Sequence, residues 1–300
     1  RGPYVVERPK VLYNNHTQKF VMWFHLDNAG YSLRHAGVAQ SASPTGPFEF
    51  MHALLPDGFK SLDMSLFQDP IDLQAYFIRS VDNAYVGISR LTSDYLNSSG
   101  MISTHSVFEG MALFRHLNGT YFMLASHLTG WEPNPMMLLR AKGATLDDPR
   151  WEDLGNPTGH PTSFNSQPTF VVQITPAMGQ PYWMYMGDDW LYCSDANGTE
   201  AQLRDACYVW LPIELGGEGL RLEWREEWDL DDPLASPALP FNGRPPAAGA
   251  VRWLAGGAGF GVGCAVAGIV AFVAWRRRTA GPHYLSLLGE RPPSSAEPVT

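Results

Sequence analysis

A repeat of about 50 residues constrains the fold of this chain more than any other feature of its sequence. Each unit has a polar head, an apolar run, a turn and an aromatic-rich second run. Asn-Gly at 118–119 lies between two such runs, which is a strong signal of a β-hairpin. No long amphipathic helix pattern occurs before residue 230, so the sequence predicts an all-β fold. The units begin as ERPKVLYN at Glu7, DMSLFQD at Asp63, EGMALF at Glu109 and QPTFVV at Gln167.

Further short apolar runs follow these pairs, among them HAGVAQS, AYVGISRL, MMLLRAK and CYVWLPI. About four strands per repeat, arranged radially, are typical of a β-propeller. In that fold the first strand of each blade lines the central channel, so the side chains at the strand heads converge near one axis. The sequence therefore predicts a ring of polar groups made of Glu7, Asp63, Glu109 and Gln167. The alternative is that these residues lie separately in surface turns.

Carboxyl groups that converge in a funnel can hydrolyse a glycosidic bond. One acid protonates the leaving oxygen, a second group activates water, and a third acid raises the pKa of the first by its like charge. Aromatic rings offer the apolar face of a sugar a platform, and the candidates near strand ends are Trp23, Trp131 and Trp190, with core packing as the alternative for each. The net charge of −9 argues against nucleic acid as a partner.

The histidines are scattered, with no Cys/His clustering of the zinc type, and no phosphate-binding loop is present. We therefore predict neither a metal nor a cofactor.

Several longer blocks occur in a distinctive order: ERPKVLYN, FVMWFH, GVAQSASPTGPFEF, SLDMSLFQD, EGMALF, SHLTGWEPNP, SQPTF, MYMGDDW and YVWLPIEL. In order and spacing they resemble glycoside hydrolase family 43, in its exo-β-1,3-galactanase-like branch (galactan 1,3-β-galactosidase). The resemblance runs from about residue 7 to residue 230. It implies a five-bladed β-propeller whose N-terminal blade is incomplete in this chain. It also implies inverting exo-hydrolysis of β-1,3-linked galactose or a related galactosyl glycan.

The resemblance assigns roles to the four heads. Glu109 stands where the family carries its general acid, and Asp63 where it carries the residue that modulates the pKa of that acid. Glu7 takes the position of the general base, although in this branch it is also a candidate for binding substrate. Gln167 matches a glutamine beside the attacking water, with a base role open to it through its tautomer. The substrate-binding set implied with them is Trp23, His127, Trp131, Asp188 and Trp190; for His127 a structural role is the alternative.

Two departures from the family pattern keep other functions open. Gly110-Met111 replaces the more usual Ala-Pro after the general acid, and Asp189 replaces an arginine in MGDDW. They motivate the alternative of a non-catalytic ectodomain that binds carbohydrate or protein.

A segment without charged residues, WLAGGAGFGVGCAVAGIVAFVAW, is followed at once by three arginines. As a helix it spans about 34 Å, enough to cross a bilayer. Positive charge on the C-terminal side predicts a cytoplasmic tail and a lumenal or extracellular N-terminal part; a buried core helix is the alternative. The small residues at 257, 261, 259 and 263 are spaced for a homodimer through this helix.

The predicted organisation is a propeller ectodomain (1–230), a Pro-rich stalk (231–251), a transmembrane helix (252–275) and a disordered tail (276–300).

Two further signals agree with a single-pass membrane protein in a secretory compartment. Cys193 and Cys207 bracket a polar loop and are predicted to form a disulfide, with free thiols as the alternative. Four N-glycosylation sequons all precede the apolar segment, at Asn15, Asn97, Asn118 and Asn197.

Overall fold

Each repeat of the sequence forms one four-stranded antiparallel sheet in the computed structural model, which describes residues 4–176, 179–190, 206–216 and 219–241. Blade 1 comprises β1 (Tyr4–Asn14), β2 (Lys19–Asn28), β3 (His35–Ser41) and β4 (Glu49–Leu54). Blade 2 comprises β5 (Met64–Gln68), β6 (Ala75–Val81), β7 (Tyr85–Leu91) and β8 (Ser98–His105). Blade 3 comprises β9 (Glu109–Arg115), β10 (Tyr121–Ser126), β11 (Met137–Ala141) and β12 (Trp151–Asp153). Blade 4 comprises β13 (Gln167–Ile174), β14 (Tyr182–Asp189), β15 (Cys207–Gly216) and β16 (Gly219–Leu222).

The first strands of the blades stand side by side. β1 contacts β5, β5 contacts β9, and β9 contacts β13. Within each blade the four strands follow one another in chain order. This arrangement confirms the prediction of an all-β propeller, with four blades among the residues that the structure describes. The predicted fifth blade is not among them.

The core lies in layers between neighbouring blades. On β6, Phe77 packs with Trp23 of blade 1, whereas Ile78 packs with Met111 and Met123 of blade 3. Successive side chains of a strand point to opposite faces, so a blade covered on both sides buries every position. All seven residues of β6 are buried for this reason. It also explains why the second strand of each repeat has a continuous apolar run and not an alternating pattern.

Irregularities of pairing occur at the heads of three first strands. In β1, Glu7 pairs with His25 and Lys10 with Trp23, which leaves Arg8 and Pro9 opposite a single residue. The same kind of shift occurs near the start of β9 and of β13. A β-bulge turns side chains away from their regular direction and bends the strand locally. The bulges thus aim the head residues of different blades toward one region.

The segment after β16 packs on blade 4 without forming a helix or strand up to residue 241. The Trp228 indole N–H donates to the carbonyl of Trp210 at 2.8 Å, and Phe241 packs against Trp224 with ring centroids 4.7 Å apart. The boundary at residue 230 stays a prediction. The rest of the stalk, the transmembrane helix at 252–275 and the tail at 276–300 lie outside the described residues. Within the described ranges, no helix has the length and apolarity of a membrane span.

We expect the Phe77→Ala substitution to lower the free energy of unfolding by about 3–5 kcal/mol, because it leaves a cavity between blades 1 and 2. Phe77 is fully buried there against Trp23. Urea unfolding measures the change. The control is Ile71→Ala, at a side chain that is 76% exposed, with an expected change within about 0.5 kcal/mol. Equal effects of the two variants would contradict this view of the core.

Candidate active site at the strand heads

Three of the four predicted heads form one connected group. The amide nitrogen of Gln167 donates to Oε1 of Glu109 at 3.0 Å. Asp63 accepts the backbone N–H of Gly110 at 3.0 Å, so it holds the residue next to Glu109 in place. These contacts join side chains from blades 2, 3 and 4. The structure therefore brings Asp63, Glu109 and Gln167 together and does not scatter them over the surface.

Gly110 allows the head of β9 to approach its neighbour closely. Its φ of +59° lies in the left-handed region that favours glycine. A Cβ atom at this position would lie 2.9 Å from Cγ of Gln167 and 2.9 Å from the carbonyl oxygen of Pro168. Met111, the next residue, is fully buried between blades 2 and 3. The departure from the family pattern at these two positions thus sits in a tightly packed strand head.

Arg8 occupies the centre of the group. Its guanidinium contacts Oδ2 of Asp63 at 3.0 Å and Oδ2 of Asp188 at 3.1 Å, and it donates to the carbonyl of Pro168 at 3.3 Å. It also donates to Oε1 of Gln167. Burial lowers the pKa of Arg8, but the charges of Asp63 and Asp188 outweigh burial and raise the pKa above its ordinary value. Arg8 is therefore a permanent cation that links blades 1, 2 and 4.

The amide orientation of Gln167 follows from its neighbours. Its oxygen faces two donors, the guanidinium of Arg8 and the indole N–H of Trp190, the latter at 3.4 Å. Its nitrogen faces two acceptors, Glu109 and the hydroxyl of Ser126 at 3.4 Å. Amide orientation is assigned from the hydrogen-bond network. Here the network requires the oxygen of Gln167 to face Arg8 and the nitrogen to face Glu109.

Behind Gln167, a turn at Ser163–Asn165 fixes the start of β13. The Ser163 hydroxyl accepts the backbone N–H of Met136 at 2.6 Å, and the Ser166 hydroxyl bonds to the buried Tyr185 hydroxyl at 2.9 Å. Gln167 therefore stands on a rigid support.

The carboxyl group of Glu109 has the electrostatics of an acid. Burial, followed by the negative charge of Asp63, raises its pKa to about 7, while Arg8 and the amide of Gln167 act in the opposite direction. At neutral pH a substantial fraction of Glu109 is therefore protonated. A carboxyl group with such a pKa can donate a proton near pH 7.

Glu7 stands beside this group with partners of its own. Its Oε2 lies 3.0 Å from Nδ1 of the buried His25, and its Oε1 accepts the hydroxyl of Tyr31 at 2.5 Å. The Glu7 side chain is 30% exposed. Glu7 is adjacent in sequence to Arg8, yet its carboxylate contacts His25 and Tyr31 from its own blade.

A second cation lies below Arg8. Lys10 is buried and donates to the carbonyl of Arg8 at 3.4 Å. Burial, with the charge of Arg8, lowers its pKa to about 8. Asp188 is also buried, and burial raises its pKa although Arg8 and Lys10 lower it. Asp188 thus contacts Arg8, and its part in binding substrate stays a prediction.

The predicted aromatic platforms divide into two groups. Trp131 is 47% exposed and meets Trp190 edge to face at a centroid distance of 5.4 Å, beside Gln167. His127 is also exposed and contacts Phe108. Trp23 is fully buried, and its indole N–H donates to the carbonyl of Tyr95 at 2.8 Å. Burial contradicts the prediction that Trp23 contacts a sugar, because the position faces the layer between blades 1 and 2.

Sequence reasoning missed several polar residues that lie against the strand heads. His25, Ser80 and Ser126 lie near the ends of the second strands, opposite the heads, as does the predicted Asp188. Arg8 and Lys10 were missed as well, although both are quoted in ERPK. A polar residue at the end of each apolar second strand was the available signal.

The remaining predicted sites lie away from this group. Cys207 is disulfide-bonded; its predicted partner Cys193 lies outside the described residues, as does Asn197. Asn15, Asn97 and Asn118 are exposed in turns. Among the residues described, no group of three or more His, Cys, Asp or Glu side chains is suited to hold a metal ion.

Comparison with solved structures gives a consistent set of matches. An exo-β-1,3-galactanase from Clostridium thermocellum is 31% identical, with 79% of this chain and 53% of that chain covered and a TM-score of 0.69. A GH43 β-1,3-galactosidase with galactodeoxynojirimycin is 30% identical, with 75% and 77% covered and a TM-score of 0.65. An exo-β-1,3-galactanase from Phanerochaete chrysosporium with β-1,3-galactotriose is 31% identical, with 73% and 48% covered and a TM-score of 0.64.

The chain spans about half the length of the two galactanases that it matches. No family model and no curated protein matches the chain.

We expect Arg8→Lys to lower the free energy of unfolding by about 1–3 kcal/mol, because an ammonium group cannot bond to all four acceptors that surround the guanidinium. Denaturant unfolding at pH 7 measures the loss. Arg150→Lys is the matched control, since Arg150 is exposed and pairs with its neighbour Asp148; no measurable change is expected. An Arg8→Lys protein as stable as the unchanged chain would refute the central role of Arg8.

Proposed function

The chain belongs to glycoside hydrolase family 43, and on that premise we propose that it releases terminal β-1,3-linked galactose, or a related galactosyl unit, from a glycan with inversion. The proposal goes beyond family membership, because the chain spans only part of some relatives. The galactosyl oligosaccharide is its proposed partner.

The observation that carries the proposal is the environment of Glu109. Its carboxyl group is partly protonated near pH 7, it stands on a packed strand head, and Gln167 and Asp63 lie around it. Glu109 acts as the general acid and transfers its proton to the glycosidic oxygen as the bond breaks. Asp63 keeps the pKa of Glu109 high by its charge and fixes Gly110 beside it.

The water that attacks the sugar approaches from the opposite side of the ring. In inverting enzymes the acid and the group that activates water are about 6.5–9.5 Å apart. Gln167 and Glu109 share a hydrogen bond of 3.0 Å, so this bond must open when a sugar enters. Once released from Glu109, the amide nitrogen of Gln167 can orient water while Arg8 and Trp190 hold its oxygen. Because a guanidinium faces that oxygen, we assign Gln167 to positioning water. As the oxygen of this water bonds to the anomeric carbon and the glycosidic bond breaks, its proton passes to solvent water, while Glu109 gives its own proton to the leaving oxygen.

Trp131 and Trp190 form the proposed platform for the sugar, with His127 near the leaving group. The two ring centroids are 5.4 Å apart in an edge-to-face arrangement, and both rings line the depression beside Gln167. Each ring can cover the apolar side of a pyranose.

We propose that the complete propeller has a fifth sheet between blades 1 and 4. Support comes from the blade faces that point away from the described neighbours. On blade 1, Phe24 and Leu26 form an apolar cluster on the face opposite Trp23, and Val6 is 48% exposed. On blade 4, Met184 and Met186 form another, against which Trp228 packs. A further sheet would cover both faces.

We also propose a lumenal or extracellular ectodomain anchored by 252–275, with pairing of that helix as the route to a homodimer. The bonded Cys207 supports an oxidising compartment. The three described sequons follow β1, β7 and β9, strands that run away from the heads. Glycans on Asn15, Asn97 and Asn118 would therefore leave the site open.

Glu109→Gln should lower kcat on β-1,3-galactobiose by about 10²- to 10⁴-fold, because an amide cannot supply the proton. In the unchanged protein, kcat/KM should fall as the pH rises through about 7, since the deprotonated acid is inactive. Substrates whose leaving group needs no proton should retain activity in the variant.

Glu49→Gln is the control, at an exposed position on β4, and should behave as the unchanged chain. Full turnover by Glu109→Gln would refute the mechanism. Galactoside binding without cleavage in both proteins would favour the alternative of a carbohydrate-binding ectodomain.

Expression of the full chain in a glycosylating host should yield glycopeptides at Asn15, Asn97 and Asn118, and recovery of the protein with membranes. Peptide mass spectrometry before and after enzymatic deglycosylation measures occupancy. Unmodified asparagines in a chain recovered free of membranes would argue against this placement.

A further inference from the structure

His25 lies between two carboxylates at the edge of the site. Its Nδ1 is 3.0 Å from Oε2 of Glu7, and its Nε2 is 3.0 Å from Oδ2 of Asp27. A neutral imidazole has one donor and one acceptor nitrogen, and ionised carboxylates only accept, so the imidazolium alone satisfies both contacts. Burial lowers the pKa of His25, but the bonds and charges of Glu7 and Asp27 raise it above its ordinary value.

Asp27 is anchored by the backbone and completely buried. Its Oδ1 accepts the N–H groups of Asn28 and Leu33, each at 2.9 Å, which leaves Oδ2 for His25. Burial raises the pKa of Asp27, and these hydrogen bonds together with His25 bring it below its ordinary value. Asp27 therefore remains an anion that fixes both the orientation and the charge of the imidazole.

Glu7 receives one donor on each oxygen, His25 on Oε2 and Tyr31 on Oε1. An ionised carboxylate has about four acceptor positions, so about two remain. The partly exposed side of Glu7 can use them for hydroxyl groups. The titratable groups that face His25 are Glu7 from β1, Asp27 from β2 and Tyr31 from the β2–β3 connection.

We propose that Asp27 and His25 are positioning residues that hold Glu7 as a fixed anionic acceptor for hydroxyl groups of the terminal sugar. The family resemblance already makes Glu7 a candidate for binding substrate; the new element is that Asp27 and His25 hold it in that role. This inference rests on the proposed function, because it assigns the sugar contact within the same site. It predicts that disturbing the pair changes KM and leaves kcat nearly intact.

The main test is Asp27→Asn. Without the second carboxylate, the pKa of His25 should move toward about 6.5, so the imidazole loses its charge as the pH rises. We expect KM for β-1,3-galactobiose to increase about tenfold relative to the unchanged protein between pH 6 and 8, with kcat changed by less than about twofold. Asp69→Asn is the matched control, because Asp69 is a buried carboxylate held by Arg115 and Tyr121. It should reduce stability without a pH-dependent change in KM.

Two further variants separate binding from catalysis. Glu7→Gln should raise KM, and Asp27→Asn should add nothing in that background, because the pair acts through Glu7. His25→Gln should raise KM equally at all pH values. A loss of about 10² or more in kcat at unchanged KM in Glu7→Gln would identify Glu7 as the base and overturn the proposal.

A measurement without turnover keeps this inference apart from the proposed function. NMR titration of His25 should give a lower pKa in Asp27→Asn than in the unchanged chain, because the charge and hydrogen bond of Asp27 are lost. Calorimetry with galactose should show affinity that falls with pH in the variant only. An unchanged titration or pH-independent affinity would refute the pair, whether or not the chain hydrolyses galactosides.

Discussion

One guanidinium group, that of Arg8, joins the parts of the chain from which the site is assembled. The guanidinium contacts two carboxylates, from blades 2 and 4, and donates to a backbone carbonyl and to the amide oxygen of Gln167. A buried charge is tolerated only when it is paired and hydrogen-bonded, and each of these groups satisfies part of the requirement. The planar fork of arginine can address several acceptors at once, which a lysine cannot. Arg8 itself has a φ of +53°, a backbone conformation that is unfavourable for residues other than glycine. The bulge of β1 thus holds Arg8 in a strained conformation that directs its side chain into the site.

The position of Arg8 also sets the electrostatics of its neighbours. It compensates the charges of Asp63 and Asp188, both of which it contacts directly. Asp63 still raises the pKa of Glu109, while Arg8 partly offsets that effect. The result lies near neutrality, where a carboxyl group can serve as acid. By fixing the oxygen of Gln167, Arg8 also determines that its nitrogen faces Glu109. These side chains are held in fixed positions because each blade packs on its neighbours through a layer of buried apolar side chains.

Blade 1 adds a second charged arrangement that is independent of Arg8. The imidazole of His25 lies between two carboxylates. One is that of Asp27, which accepts backbone N–H groups, and the other is that of the partly exposed Glu7. The two systems start from adjacent residues, Glu7 and Arg8, which the bulge sends to different partners. Two neighbouring residues therefore belong to separate networks, one centred on Arg8 and the other on His25.

The sequence by itself determined the repeated four-stranded unit, the acidic and amide heads and the family. Each of these depends on a local pattern: apolar runs, turn residues and quoted blocks that need no knowledge of the partner strand. Tertiary structure decided which side chains meet. Bulges reversed the direction of Arg8, and a blade covered on both faces buried Trp23 while Trp131 stayed exposed. His25 became a candidate only when its strand placed it opposite Glu7. The reason is that charge and burial depend on distances between residues far apart in the chain, which strand periodicity does not specify.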